Sequence, residues 1–445
     1  MRTETILKYA NERVPRYTSY PTAPHFSPDL DARDYGQWLA GLDPNAPVSL
    51  YLHVPFCRTM CWYCGCHTKA TRRIAPVDAY ADILLKEIDT VANHTAARLK
   101  VSHIHWGGGS PTYLPPRRFE ALMDRIRHRF DVLPDAEIAV EVDPRIFDDA
   151  MASAFVASGV TRASLGVQTF DDSVQRAVNR IQPRELVEEC VDMLRDAGVT
   201  GLNFDLLYGL PLQTVENCIA SARMALALRP DRFSVFGYAH VPHMKPHQSM
   251  IAENDLPGAA QRLAQADAIA GTLAAGGQVP IGLDHFARAG DELARALEAG
   301  ALRRNFQGYT TDTAPAIIGL GASAIGWLPR GYVQNTAHTH DWERRVLNGE
   351  LPTARGYRLT PEDRLRRSII EQLMCTLSAD PAALAAAAGL AVPQADLSAF
   401  QAAGIVAREG SRVIVDPAYR PLVRNVAAAY DERLQTSSAR HAVAV

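Results

Sequence analysis

Residues 48–66, VSLYLHVPFCRTMCWYCGC, join an apolar run to a loop that holds four of the chain's seven cysteines. The run Val48–Val54 has the short, largely apolar character of a buried strand and is stopped by Pro55, so the loop from Phe56 onward hangs from a strand end. Within the loop Cys57, Cys61 and Cys64 follow a C-x3-C-x2-C spacing. A four-iron, four-sulfur cube ordinarily takes four cysteine thiolates, so three leave one iron open to a ligand that is not protein. A zinc site is the competing reading, because C-x2-C pairs are common zinc ligands. Cys66 would complete a four-thiolate set, although the C-G-C geometry is tight for one shared ion.

Outward from the loop, strand-like runs alternate with helical ones. After 48–54 they recur at 101–106, 137–142, 162–167, 201–208, 232–238 and 278–283, and residues 78–91 form the amphipathic helix behind the first. Such alternation predicts parallel strands with helices outside. Six or seven units rather than eight predict an α/β fold: an open, partial (β/α) barrel over residues 48–331, with chemistry at the carboxyl ends of the strands. Residues 1–47, rich in proline, tyrosine and charge, read as an N-terminal arm. Residues 332–445 change character, with helical stretches at 361–374, 382–390 and 396–403 before the hairpin pattern IVAREGSRVIV, Gly410 at its turn. That order predicts a C-terminal, mostly helical, winged-helix-like domain. Its two readings are DNA binding and a structural cap; the absence of a strongly basic stripe favours the cap.

Composition narrows the function classes. With 445 residues, 47% of them hydrophobic, the chain has room for a sizeable core. Its net charge of −3 gives no electrostatic case for nucleic acid or an anionic membrane. The first twenty residues interleave charges and lack the apolar centre of a signal peptide, and no apolar run approaches the roughly 20 residues of a membrane span. Seven cysteines are an odd set, with Cys190, Cys218 and Cys375 in helix-like segments, so no disulfide framework is expected. A reducing cytoplasm is the expected compartment, and a monomer the expected state.

Polar and glycine motifs recur at the strand ends, as a strand-end active site requires. Gly107-Gly108-Gly109-Ser110 follows the second strand, where missing side chains let backbone approach a ligand. Glu141 ends the third, Gln168 the fourth, the fifth carries Asp205, and the sixth runs into Tyr238-Ala239-His240. Each alone reads as structural, but successive units carrying them in register point to a site. His240, His243 and His247 do not read as a metal site, because Pro242 and Pro246 break the segment.

The cysteine spacing, with the aromatic Tyr63 before the third cysteine, resembles the radical S-adenosylmethionine (SAM) enzymes. In that superfamily the open iron is chelated by SAM, and one electron from the cluster yields a 5′-deoxyadenosyl radical. The resemblance becomes narrower with VPRYTSYPTA (14–23), YLHVPFCRTMCWYCGC (51–66), HWGGGSPTYL (105–114), EVDPR (141–145), SLGVQTF (164–170), NFDLLYGLPLQT (203–214), FGYAHVP (236–242), GLDHFAR (282–288) and NFQGYTT (305–311). Together these resemble the oxygen-independent coproporphyrinogen III oxidases.

What the resemblance implies is oxidative decarboxylation of two propionates of coproporphyrinogen III to vinyls, giving protoporphyrinogen IX in haem biosynthesis. It implies a 4Fe–4S cluster on Cys57, Cys61 and Cys64, two SAM molecules, an electron-donor protein, and Cys66 beside the reacting groups. By motif, Tyr51, Gly108, Glu141 and Ile325 would contact the SAM on the cluster, and Tyr63, Gly109, Ser110, Gln168, Arg180, Asp205 and Ala239 the second. Ser110 stands where the family often has threonine, which keeps the hydroxyl. Arg16, Lys245, Arg288, Arg303 and Arg304 are candidates for the substrate's carboxylates, and His285 for the substrate. Other readings left open are a haem-trafficking relative, a tandem-SAM alkyl transferase and a cluster-based DNA-binding regulator.

Overall fold

The computed structural model of the protein describes residues 2–10 and 12–434. Residues 435–445, the expected end of the C-terminal domain, lie outside the described residues, as do Met1 and Asn11 of the arm. Six strands stand side by side in chain order: β1 (Val48–Val54), β2 (Lys100–Gly108), β3 (Asp131–Val142), β4 (Arg162–Gln168), β5 (Gly201–Tyr208) and β6 (Arg232–Gly237). Each is parallel to the next, and a helix joins each pair. In β1 only Tyr51 is not fully buried, which is why the run reads as near-continuous apolar residues. Helix Ala75–Asn93 packs behind it through Val77, Tyr80, Ala81, Leu84, Ile88 and Val91, the i, i+3/i+4 stripe of an amphipathic helix.

Two expectations need correction beyond β6. The run at 278–283 is not a further parallel unit: β7 (Gln278–Ile281) turns back into β8 (His285–Arg288), and β8 lies antiparallel to both β7 and β6. The three residues between them can make a hairpin, whereas a parallel return needs a crossover of a dozen or more. On the other flank, β9 (Ile317–Leu320) adds parallel to β1, and β10 (Ile325–Leu328), β11 (Gly331–Asn335) and β12 (Thr353–Arg358) continue antiparallel. The expected boundary at 331 therefore cuts a continuous ladder, which ends at Arg358. The sheet is open, in the order β12-β11-β10-β9-β1-β2-β3-β4-β5-β6-β8-β7.

Past β12 the C-terminal unit has the expected helix and hairpin order: helices Pro361–Thr376, Pro381–Ala388 and Ser398–Ala402, then strands Val406–Glu409 and Arg412–Val415. Ser378–Ala379 completes a small three-stranded sheet. The arm is not a free appendage. Helix Arg2–Ala10 puts Ile6, Tyr9 and Ala10 into the C-terminal core with Leu373, Val415 and Val426, and Tyr17 and Tyr20 join them. Tyr17 Oη donates to Asp431 Oδ2 at 3.0 Å, and Asn425 Nδ2 to Glu12 Oε2 at 2.6 Å.

Candidate active site

The cysteine loop is held against the end of β2. Gly109 N donates to Val54 O at 2.9 Å and Ser110 N to Phe56 O at 2.8 Å, so the glycine run lies flush with the start of the loop. A Cβ on Gly109 would sit 2.6 Å from Phe56 O, and Gly108 has a φ of +118°, a conformation that favours glycine. From the far side, Trp62 N donates to Val178 O at 3.0 Å and Asn179 Nδ2 to Met60 O at 2.8 Å. The segment after β6 supplies three more clamps. Lys245 Nζ donates to Cys66 O at 2.8 Å, His247 Nε2 lies 2.8 Å from Cys64 O, and Gln248 Nε2 donates to Tyr63 O at 3.0 Å.

Hydrogen-bond donors converge on the thiols. Arg145 and Arg180 both donate to Cys61 Sγ, at 3.5 and 3.4 Å. Cys57 Sγ accepts from Ser110 Oγ at 3.6 Å and lies 3.3 Å from Thr68 Oγ1; burial pushes its thiol up, and those two hydroxyls pull it partly back. The Cys66 thiol hydrogen-bonds Cys64 and draws it down to about 6, while Cys66 itself is pushed up. Behind them Asp143 accepts from Arg145 at 2.6 Å and Arg180 at 3.4 Å. Burial alone would raise that carboxyl, but the two guanidiniums hold it at about 2. Arg180 also donates to Gly166 O, and its buried Nε has no partner among the described residues.

Two further carboxylates approach from β3 and β5. Glu141 Oε2 accepts from Gly108 N at 3.0 Å. Asp205 accepts from Asn203 Nδ2 at 2.9 Å and Ser164 Oγ at 3.3 Å; burial, reinforced by Glu141, pushes it up to about 7. Arg180 and Asp205 therefore do not form an ion pair with each other. The donor set fits an iron–sulfur cluster with an anionic, amino-acid-bearing cofactor. Four thiols, those of Cys57, Cys61, Cys64 and Cys66, line one cavity with two guanidiniums and an Nε–H unpartnered among the described residues. Among the described residues no three His, Cys, Asp or Glu side chains gather around a single-ion point, and a cube binds its thiolates through separate irons.

One cavity brings together Cys57, Cys61, Cys64, Cys66, Tyr63, Gly108, Gly109, Ser110, Glu141, Gln168, Arg180 and Asp205. Tyr51, Ala239 and Ile325 are not on its wall. Tyr51 lies just behind, its ring close to Gly107 beside Glu141 and its hydroxyl 3.0 Å from His53 Nδ1. Ala239 lines a different cavity. Ile325 opens β10 and packs near Phe26 and Tyr332. The cavity continues past Glu141, Ser164 and Asp205 into the barrel lumen, which His285, Gln307 and Tyr309 also line. His285 is held by Asp284 at 2.8 Å.

The carboxylate candidates divide. Arg288 pairs with Asp231 where β6 begins, at the end of the barrel opposite the cysteines, and is removed from the site. Exposed Arg303 faces Glu371 at 3.9 Å. Arg304 is buried with its guanidinium 4.4 Å from the Tyr309 ring centre. Arg16 donates to Gly237 O at 3.0 Å, and Lys245 is a loop clamp. Residues that the sequence did not single out include Asp143, Arg145, Thr68 and Gln248. The first two were present in EVDPR, where Glu141 drew the attention; Thr68 and Gln248 carry no local signal.

The comparisons with known proteins agree with this geometry. Residues 51–225 match the radical SAM superfamily. The oxygen-independent coproporphyrinogen III oxidase of Bradyrhizobium diazoefficiens is 53% identical, covering 100% of both chains. That of Salmonella typhimurium is 40% identical over 97% of this chain and 95% of its own. The solved coproporphyrinogen III oxidase of Escherichia coli, described as a radical SAM enzyme, superposes with a TM-score of 0.89 at 38% identity, covering 94% of this chain and 98% of that one. With end-to-end relatives of this identity and a strand-end cysteine cavity of this composition, the chain belongs to the oxygen-independent coproporphyrinogen III oxidase family of the radical SAM superfamily.

Proposed function

We propose that this chain converts two propionate side chains of coproporphyrinogen III to vinyl groups by oxygen-independent oxidative decarboxylation, giving protoporphyrinogen IX. The observation that carries this reading is the full-length 53% identity to a relative of that name, in a chain whose three spaced cysteines open into a polar strand-end cavity. A 4Fe–4S cluster with SAM supplies, when bound, the one-electron chemistry that removes hydrogen from the substrate. Cys57, Cys61 and Cys64 hold the cluster, and Arg145 and Arg180 offset thiolate charge at Cys61.

For the first SAM, the Gly108–Glu141 hydrogen bond fixes a carboxylate beside the glycine run at the end of β2, where an ammonium group has a partner. For the second, Gln168, Asp205 and Arg180 converge from β4, β5 and the connection between them. Asp205, partly protonated near neutrality, can donate to as well as accept from ribose hydroxyls. Tyr63 covers an adenine face. Tyr51, Ala239 and Ile325 act, in this reading, from behind or at the rim of the wall. The lumen beyond Asp205 receives the substrate, with His285 set to meet a propionate.

An electron-donor protein, a monomeric state and a cytoplasmic location complete the proposal. Its support is that all seven cysteines are free, as in a reducing compartment, and that no described helix is long and apolar enough to cross a membrane. The test is anaerobic reconstitution with iron, sulfide, SAM and a chemical reductant, followed by mass analysis of the tetrapyrrole product. Loss of two CO2 per coproporphyrinogen supports the reading. SAM consumption with unchanged tetrapyrrole, or a methylated product, overturns it.

A further inference from the structure

A second cavity lies on the other side of the barrel wall. Along β6, Ser234 and Phe236 face the lumen whereas Val235 and Gly237 line the outer cavity; His285 and Phe286 of β8 split in the same way. Alternate strand residues point to opposite faces, so the two cavities are separated by the sheet itself. Helix Ala259–Ala275 and the segment 417–424 of the C-terminal unit close the outer one, with Arg16 of the arm at its rim. Its interior is about 240 Å³ and opens to solvent at a mouth.

Its lining is unusual in what the arginines lack. Arg16 donates to Gly237 O, Arg420 to Gly282 O, and Arg262 lies over the Tyr208 ring at 5.6 Å, its buried Nε without a partner among the described residues. None of these three makes an ion pair with a carboxylate among the described residues, although Asp267 and Asp284 stand nearby: Asp267 is taken by Arg2, and Asp284 by His285. Arg424, also on the wall, is buried as well. Beside Leu263, Ala266 and Phe286, the half-buried Arg262 and Arg420 have a ring and a carbonyl rather than a carboxylate for company among the described residues, which leaves partly desolvated positive charge unbalanced. Burial accordingly depresses Arg262, Arg420 and Arg424, the last to about 10.

We propose that this outer cavity binds an amphipathic carboxylic acid, its acid group held by Arg16 and Arg262 and its apolar body seated on Leu263, Ala266 and Phe286. Planar guanidiniums match a carboxylate bidentately, and the apolar wall distinguishes such a ligand from a bare anion. The site shares no lining residue with the catalytic cavity or the lumen. The proposal stands apart from the catalytic reading, since it needs only the cavity.

Coproporphyrin III, a stable tetracarboxylate, serves as the probe in equilibrium dialysis against the reconstituted full-length protein. The wild type is expected to bind two equivalents. Arg262→Gln should weaken one of them at least tenfold, and Ala266→Trp, which fills the cavity while leaving every charge in place, should abolish the same one. Thermal melts of both variants check that they fold. Identical binding by wild type and both variants overturns the proposal. Displacement of that equivalent by millimolar inorganic phosphate overturns the amphipathic assignment in favour of a simple anion site. Absence of the other, catalytic equivalent with the outer one retained counts against the proposed function alone.

Discussion

Cys61 and Cys66 stand five positions apart on one loop and occupy different chemistry. Cys61 is buried under two guanidinium donors, whereas Cys66 is the exposed member of a thiol pair whose carbonyl is tied to Lys245. Cys61→Ala is therefore expected to lose the cluster, read as iron and sulfide content and visible absorbance after anaerobic reconstitution. Cys66→Ser should keep it and lose turnover; iron loss matching that of Cys61→Ala would make Cys66 a ligand instead. Asp205→Asn keeps the hydrogen bonds to Ser164 and Asn203 within reach while removing the titrating carboxyl. It should retain iron and still cleave one SAM, yet bind fewer SAM equivalents and form less protoporphyrinogen. A variant that binds two SAM molecules and merely melts earlier would mark Asp205 as structural. At this scale the sequence was readable wherever a motif concentrated its chemistry in adjacent residues, as in the cysteine loop and the glycine run. Asp143 escaped because its role depends on Arg180, thirty-seven residues away.

Among the elements, helix Ala75–Asn93 shows how the sheet is braced. Its Glu87, fully buried, accepts from Gly321 N at 2.7 Å, Asn335 Nδ2 at 2.7 Å and Trp342 Nε1 at 3.0 Å, tying the helix to the turn after β9, to β11 and to the helix Thr339–Leu347. Burial outweighs these donors and pushes the carboxyl from 4.5 up to about 7. A raised acid pKa means that the folded state holds its proton longer than the unfolded chain. Stability from this group is therefore full below about 4.5 and is lost as pH rises toward 7, on the order of 3 kcal/mol if the whole shift is expressed. Urea titrations of wild type and Glu87→Gln across that window should show the difference between them narrowing as pH falls; a constant difference refutes the assignment. Strands β1 to β6 were legible because each is a compact apolar run between helical stretches. Strands β9 to β12 were not, since they are short and interrupted by glycines. Gly319 is required because a side chain there would meet the backbone of Ile325 at 2.8 Å, a contact invisible before the hairpin closes.

For the whole molecule, the arm makes the two ends of the chain interdependent. Ile6 is fully buried among C-terminal residues, so Ile6→Ala should cost roughly 2–5 kcal/mol, as large-to-small core changes do. The loss should appear as faster amide exchange in helix Pro361–Thr376, with β1 to β5 protected as before; uniform acceleration throughout would show one cooperative unit instead. The proline- and tyrosine-rich composition of residues 1–47 suggested only an arm, because the apolar face of Arg2–Ala10 is short and its partner lies more than 350 residues downstream.

The strand that delivers the cysteines has β2 on one side and β9 on the other. During synthesis the first neighbour emerges soon after β1, but the second is made only after more than two hundred further residues, and its own bracing ladder ends at Arg358. A nascent chain therefore carries its cysteine loop on an unpaired strand edge for most of its translation. Stable cluster insertion is accordingly expected only after the second neighbour has been made, and ribosome-bound chains stalled before residue 317 should take up no lasting iron.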